Sequence, residues 1–242
     1  MLVEILKGKI FRFQNDLLIL LATWGLTSKE SVTMVFMGNN YSGYWFPKSL
    51  ISSAGTIWGV GLGMNSSFEL RLGELGYKVI GFEPDSDCIS QAQIEFAGID
   101  STIHHFGLWD RNGFFESFGS SISLVNIFEN GLGNKDSLDI RDIHEVARFT
   151  DLEHQKVPRI LKMNIEGAER EILFAMISRP LHFEVIMFQA EFLLHLGFFK
   201  FMKKLQATFQ LRAILRGLSS HGFELVHNYR NQFTLILKEG FR

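Results

Sequence analysis

The chain has 242 residues, 46% of them hydrophobic, with a formal net charge of −2 and a pI near 6.5. That length and apolar content suit one α/β domain with additions, and the near-neutral balance argues against a large phosphate-neutralising surface, so nucleic acid is not an expected partner. The single cysteine, Cys88, excludes an intramolecular disulfide framework and a thiolate zinc cluster, and it fits a reducing, cytoplasmic compartment.

Residues 1–43 read as an N-terminal helical extension. Glu4, Lys7, Lys9 and Arg12 interrupt the first apolar positions, which is not the pattern of a signal peptide. The run Leu17 to Ala22 is far shorter than the roughly 20 apolar residues of a membrane helix and is expected in a core helix. The turn-rich Gly38-Asn39-Asn40-Tyr41-Ser42-Gly43 reads as a boundary, so the main domain, 44–242, opens at Tyr44-Trp45-Phe46-Pro47.

The chain is organised around Thr56 to Pro84. Thr56-Ile57-Trp58 is a β-type run that enters a turn spaced by Gly59, Gly61 and Gly63, and Asn65-Ser66-Ser67 supplies caps for a helix to about Leu75. Gly76 stops that helix, and a second run, Val79 to Phe82, ends on Glu83-Pro84. Strand, glycine loop and helix, followed by an acid about twenty residues on, are the halves of a nucleoside site at the carboxyl edge of a parallel sheet, the acid taking ribose hydroxyls. The loop leaves two ligands open: a dinucleotide, whose pyrophosphate needs the helix N-terminus, or an adenosyl compound without phosphate.

A helix capped by Asp85 or Ser86 is expected to about Ala97, and a third apolar run from Ser101 to Trp109 places Gly107 and Leu108 at the same edge. Phe114 to Phe118 reads as a short strand, Gly119 to Lys135 as a long functional loop, and Leu138 to Phe149 as a helix. Arg159 to Glu169 reads as a strand turning directly into a helix, which brings Asn164 and Glu166 to the carboxyl edge on a shared side. His182 to Phe192 is a further strand carrying Gln189 and Glu191. The helix Phe198 to Leu218 holds Lys200, Lys203, Lys204, Arg212 and Arg216 without an acid. It is expected to cover the sheet with a solvated basic face, with only weak membrane-surface contact. Gly222 to Tyr229 and Phe233 to Lys238 form a closing antiparallel hairpin, as in the seven-stranded sheet with one reversed strand used by methyltransferases.

Over Tyr44 to Lys238 these residues resemble the FkbM-type family of S-adenosylmethionine-dependent methyltransferases: Trp45-Phe46-Pro47, Gly59-Val60-Gly61-Leu62-Gly63 with Ser67-Phe68, Phe82-Glu83-Pro84, Gly107-Leu108, Asn231-Gln232-Phe233-Thr234 and, most specifically, Leu161 to Glu169. The resemblance implies a Rossmann-like class I methyltransferase fold: a mostly parallel seven-stranded sheet with a C-terminal antiparallel hairpin and helices on both faces. It implies S-adenosyl-L-methionine as cofactor, held by Gly59, Gly61, Gly63, Asn65, Glu83, Pro84, Gly107, Leu108 and Asn164. Asn164 and Glu166, with His105 as a further candidate base, are then the catalytic positions, no metal is called for, and the acceptor is the hydroxyl of a sugar, glycan or related metabolite. The chain departs from the family's acids at Met64-Asn65, Asn164 and Gln189, which removes negative charge from around a sulfonium. Two alternatives stand beside this: a member that binds the cofactor without chemistry, and a nicotinamide-dependent dehydrogenase.

Overall fold

The computed structural model describes residues 2–51, 54–118, 135–150, 159–165, 167–194 and 201–238. Its central sheet has seven strands in the order β11-β12-β10-β9-β3-β4-β5, where β3 is Thr56–Val60, β4 Lys78–Phe82, β5 Ser101–His104, β9 Arg159–Met163, β10 Val185–Gln189, β11 Phe223–Tyr229 and β12 Gln232–Leu237. Neighbouring pairs from β5 to β10 are parallel, and β12 runs antiparallel to both β10 and β11. This is the expected Rossmann-like sheet with its single reversed strand.

Alternating side chains give each strand two apolar faces. Trp58, Val60, Ile80, Phe82, Leu161, Met163, Ile186 and Phe188 pack with α1 (Leu2–Thr23), α4 (Ile143–Phe149), α5 (Glu169–Ser178) and α7 (Phe201–Ser220). Their neighbours Ile57, Val79, Ile160, Val185 and Met187 pack with α2 (Ser67–Glu74), α3 (Ser86–Glu95) and a hairpin of β1 (Met34–Met37) and β2 (Tyr44–Pro47). Asp85 caps α3 by accepting from the Asp87 and Cys88 amides, each at 2.9 Å. A short helix, α6 (Glu191–Leu194), follows β10.

Register sets the site. Val60 pairs with Phe82 on one side and Met163 on the other. The residues that follow each of them, Gly61, Glu83 and Asn164, therefore leave the carboxyl edge side by side.

Several expectations need correction. Gly38 to Gly43 is the turn joining the paired strands β1 and β2, so the anticipated boundary falls inside a hairpin. Ser101 to Trp109 divides into β5 and β6 (Gly107–Trp109), and β6 joins a separate sheet ordered β6-β8-β7, with β7 Gly113–Phe118 and β8 Lys135–Asp142. The expected helix from Leu138 is a strand up to Asp142, because Leu138 and Ile140 alternate into the core and Asp142 then caps α4 through the His144 and Glu145 amides at 2.8 and 2.9 Å. The run Leu17 to Ala22 is only half core: Leu18, Ile19 and Ala22 are buried, while Leu17, Leu20 and Leu21 are exposed. On α7 the basic face is partly engaged, since Lys204 donates to Asn15 Oδ1 at 3.0 Å and Arg212 Nη1 donates to the carbonyls of Leu21, Ala22 and Trp24 that end α1. The expected loop at 119–134 and Lys200 lie outside the described residues.

Candidate functional site

The three loops that leave β3, β4 and β9 enclose a cavity of about 250 Å³. Gly61, Gly63, Glu83, Pro84, Gly107, Leu108 and Asn164, seven of the nine positions expected to touch a cofactor, line it.

Each glycine has its own physical reason. Gly61 has φ 76°, and a Cβ there would lie 2.1 Å from the Asn164 carbonyl oxygen. The lack of a side chain there lets the loop approach the end of β9. Gly59 does not line the cavity. A Cβ on it would come within 2.8 Å of Glu69 Cγ. Gly63, with φ 59°, faces open space.

Glu83 is buried beside the loop. Its Oε2 accepts from the Gly63 amide at 2.9 Å and its Oε1 from the Asp85 amide at 3.0 Å. Burial raises its pKa, and those two amides partly offset the rise. Each carboxylate oxygen keeps a lone pair for a further donor. Asn164 stands opposite, its Oδ1 buried without a hydrogen-bond partner. An orphaned acceptor of this kind costs about 1–3 kcal/mol unless a donor meets it. Cys88 also lines the cavity, its thiol pushed up to about 12, chiefly by burial, so it remains a protonated packing group.

Four amides of the glycine loop and the start of α2 are engaged. Gly61 N donates to the Phe82 carbonyl, Gly63 N to Glu83, Ser66 N to Glu95 Oε2 at 3.4 Å and Ser67 N to Asn65 Oδ1 at 3.3 Å. Among the described residues no Lys, Arg or His lines the cavity, whose lining includes the carboxylates of Glu83 and Asp85.

Other expected positions lie elsewhere. Asn65 does not line the cavity: its Oδ1 accepts from Ser42 Oγ at 2.7 Å and Asn39 Nδ2 at 3.1 Å, tying the β1–β2 turn to α2. His105 is exposed, 3.5 Å from Ser86 Oγ. It follows β5, three strand spacings or roughly 14 Å from β9, and so is not brought to Asn164. His104 stacks on Phe82 at 5.2 Å between ring centroids, and burial lowers its pKa. Glu166 lies outside the described residues.

Two buried networks beneath the site had no assigned role. Lys162 Nζ is 2.7 Å from Glu69 Oε1, with side chains 1% and 0% exposed, and it donates to the Gly61 carbonyl at 3.2 Å. The readable signal was a lysine inside an otherwise apolar strand, which requires a partner. Glu169 accepts from the Gly167 amide at 2.8 Å and the Glu191 amide at 2.7 Å, while Glu191 Oε1 accepts from Gln189 Nε2 and from Asn231 Nδ2. The ends of β9, β10 and the β11–β12 turn are thereby tied together.

Burial pushes the Glu169 carboxyl up to about 8, so folding favours its protonated form. Its contribution to stability is fully present below about pH 4.5 and is lost as pH rises through about 8. Chemical denaturation should therefore give a stability that declines over that interval. In Glu169→Gln the decline should flatten, and stability at low pH should drop by about 1–3 kcal/mol as one amide loses its acceptor. Equal pH slopes in the two proteins would contradict this.

A second cavity, about 450 Å³, lies on the same edge two strands away, where Gln189 pairs with Gln232. Phe36, Trp45 and Tyr229 wall it and the amides of Gln189, Asn231 and Gln232 line it.

No family model matches the sequence, and no curated protein matches it. Solved structures do match. A ribosomal protein L11 methylase from Lactobacillus delbrueckii subsp. bulgaricus is 14% identical, over 76% of this chain and 70% of that one, with a TM-score of 0.36. A putative rRNA-methylase from Clostridium thermocellum is 11% identical over 79% and 93%, TM-score 0.41. A putative caffeoyl-CoA O-methyltransferase from Staphylococcus aureus is 10% identical over 78% of each chain, TM-score 0.40. At these identities and scores the likenesses decide nothing about chemistry.

Proposed function

We propose that the chain is an S-adenosylmethionine-dependent methyltransferase of the FkbM type, acting on a hydroxyl of a sugar, glycan or related small metabolite. The observation that carries this reading is that no described residue lining the first cavity is a cation, while the amides of Gly61, Gly63, Ser66 and Ser67 already donate to protein oxygens. A dinucleotide pyrophosphate would meet two carboxylates, with the amides of Gly61, Gly63, Ser66 and Ser67 already taken, which disfavours a nicotinamide cofactor. An adenosyl sulfonium needs no such cradle, and nearby negative charge stabilises its positive centre.

The residues present fit that group. Glu83 would accept from the ribose hydroxyls, Leu108 would flank the adenine, and Asn164 Oδ1 would accept from the amino group of the methionine end. When bound, the cofactor supplies the electrophilic methyl group. The chain's own part is alignment and exclusion of water, with a base to take the acceptor proton. Asn164 cannot be that base, which leaves the role to Glu166. The second cavity is the acceptor side of this reading, its amides, aromatic walls and the guanidinium of Arg230 suiting a polyhydroxylated ring.

Thermal unfolding with each cofactor tests the reading. S-adenosylmethionine near 100 Kd should raise Tm by about 5–10 °C, and NAD should leave it unchanged. Stabilisation by NAD alone would overturn the assignment. Labelled methyl transfer to a panel of sugars and glycans then identifies the acceptor. Asn164 also favours cofactor binding without turnover, because an amide stands where the family has an acid. Retained binding with transfer to no acceptor on the panel would select that second reading.

A further inference from the structure

We propose that the acceptor carries an anionic group, a carboxylate or a phosphate, and that Arg230 binds it in the second cavity. This deepens the function proposed above and rests on it, because that cavity is taken as the acceptor side. Arg230 lines the cavity, and among the described lining residues it is the only charged one.

The backbone at Arg230 sets it apart. Tyr229 pairs with Gln232, so Arg230 and Asn231 make a two-residue turn between β11 and β12. Arg230 has φ 56°, and among the described residues it is the only non-glycine with positive φ. Glycine is the ordinary occupant of such a first turn position, because a Cβ there crowds the following carbonyl. The turn itself is held by Asn231, whose carbonyl accepts from the Ala190 amide at 2.8 Å and whose Nδ2 donates to Glu191 Oε1 at 3.3 Å. Neither bond uses the Arg230 side chain, which is exposed. Strain kept at an exposed residue beside a cavity points to a ligand rather than to packing.

The guanidinium is available to that ligand. Its carbon stands 5.2 Å from the centroid of the Tyr229 ring, and among the described residues no acid pairs with it. Glu191, the acid of the neighbouring network, is buried and turns its Oε1 to Gln189 Nε2 and Asn231 Nδ2. The amides of the cavity already supply neutral donors and acceptors for hydroxyls. Arginine adds what they lack, a permanent charge on a planar fork of donors that meets a carboxylate or phosphate in two parallel bonds. The aromatic walls take the apolar face of a ring. One cation is too few to follow the backbone of a nucleic acid, so the ligand class is a sugar acid or a sugar phosphate.

Calorimetry on the full chain, with and without S-adenosylhomocysteine and at about 0.1 M salt, compares glucuronate with glucose, galacturonate with galactose, and glucose 6-phosphate with glucose. At least one anionic sugar is expected to bind about tenfold or more tightly than its neutral partner, and whether a uronate or the phosphate does so identifies the group. Arg230→Gln should abolish the preference and Arg230→Lys should keep part of it. Arg230→Gly should also abolish it, with Tm no lower than that of the native chain, because glycine relieves the turn. No anionic sugar bound more tightly than its partner, or a preference that Arg230→Gln retains, overturns the proposal. A Tm that falls in Arg230→Gly also overturns it, by making the side chain structural. Binding of S-adenosylhomocysteine without any preference for anionic sugars removes this inference and leaves the methyltransferase reading standing. An Arg230-dependent preference without S-adenosylhomocysteine binding supports the anion site and removes that reading.

Discussion

Lys162→Met is expected to lower stability by about 3–5 kcal/mol in chemical denaturation, because it leaves Glu69 as an unpaired charge under the glycine loop. Both partners are essentially inaccessible, and Lys162 also holds the Gly61 carbonyl. Water cannot reach Glu69 to replace the lost ammonium. The surroundings add to the effect: Tyr44 has its pKa raised well above the usual range, by burial first and then by Glu69, Glu169 and Glu191, so the region is already short of positive charge. The double variant Glu69→Leu/Lys162→Met removes both charges and should recover most of the loss, as buried pairs replaced by apolar groups often do. If the single variant is as stable as the native protein, the pair is not the support of the loop described above.

Gly61→Ala should be of similar severity for a different reason. An alanine at φ 76° costs about 1–2 kcal/mol from chirality alone. Its Cβ would then stand 2.1 Å from the Asn164 carbonyl oxygen, so loop or strand must move. Together these predict a loss of about 3–5 kcal/mol. Gly63→Ala is the control, since Gly63 has φ 59° but its Cβ would meet open space, and only the conformational cost of about 1–2 kcal/mol applies. Denaturation midpoints that fall equally in the two variants would show that backbone conformation alone, and not the contact with β9, requires Gly61.

Much of the sheet was legible because its signals are local. The two-residue alternation of Trp58, Val60, Ile80 and Phe82 needs only a strand's own periodicity, and the glycines and Asp85 mark where each element turns. The misreading at Leu138 has an equally local cause. Leu138 and Ile140 alternate, Ile143, Val146 and Ala147 follow at helical spacing, and the two patterns merge into one apolar run with Asp142 hidden at the join. Long-range partners were not legible. Lys162 announces that it needs a partner but not that Glu69, 93 positions earlier, provides it. Asn65 sits where a cofactor contact is expected by motif, yet Ser42 and Asn39 take its oxygen because the β1–β2 turn folds against α2. The run Leu17 to Ala22 looks uniformly apolar, and only packing divides it into a buried and an exposed half.

The central claim is that the carboxyl-edge cavity between Gly61, Glu83 and Asn164 holds an adenosyl cofactor, and calorimetry with S-adenosylhomocysteine on the native chain and Glu83→Ala tests it most directly. Binding to the native chain is predicted, weakened in Glu83→Ala by about 1–3 kcal/mol, or roughly 5- to 150-fold, through loss of the ribose acceptors. Undetectable binding to the native chain, or equal affinity in the two proteins, would contradict it.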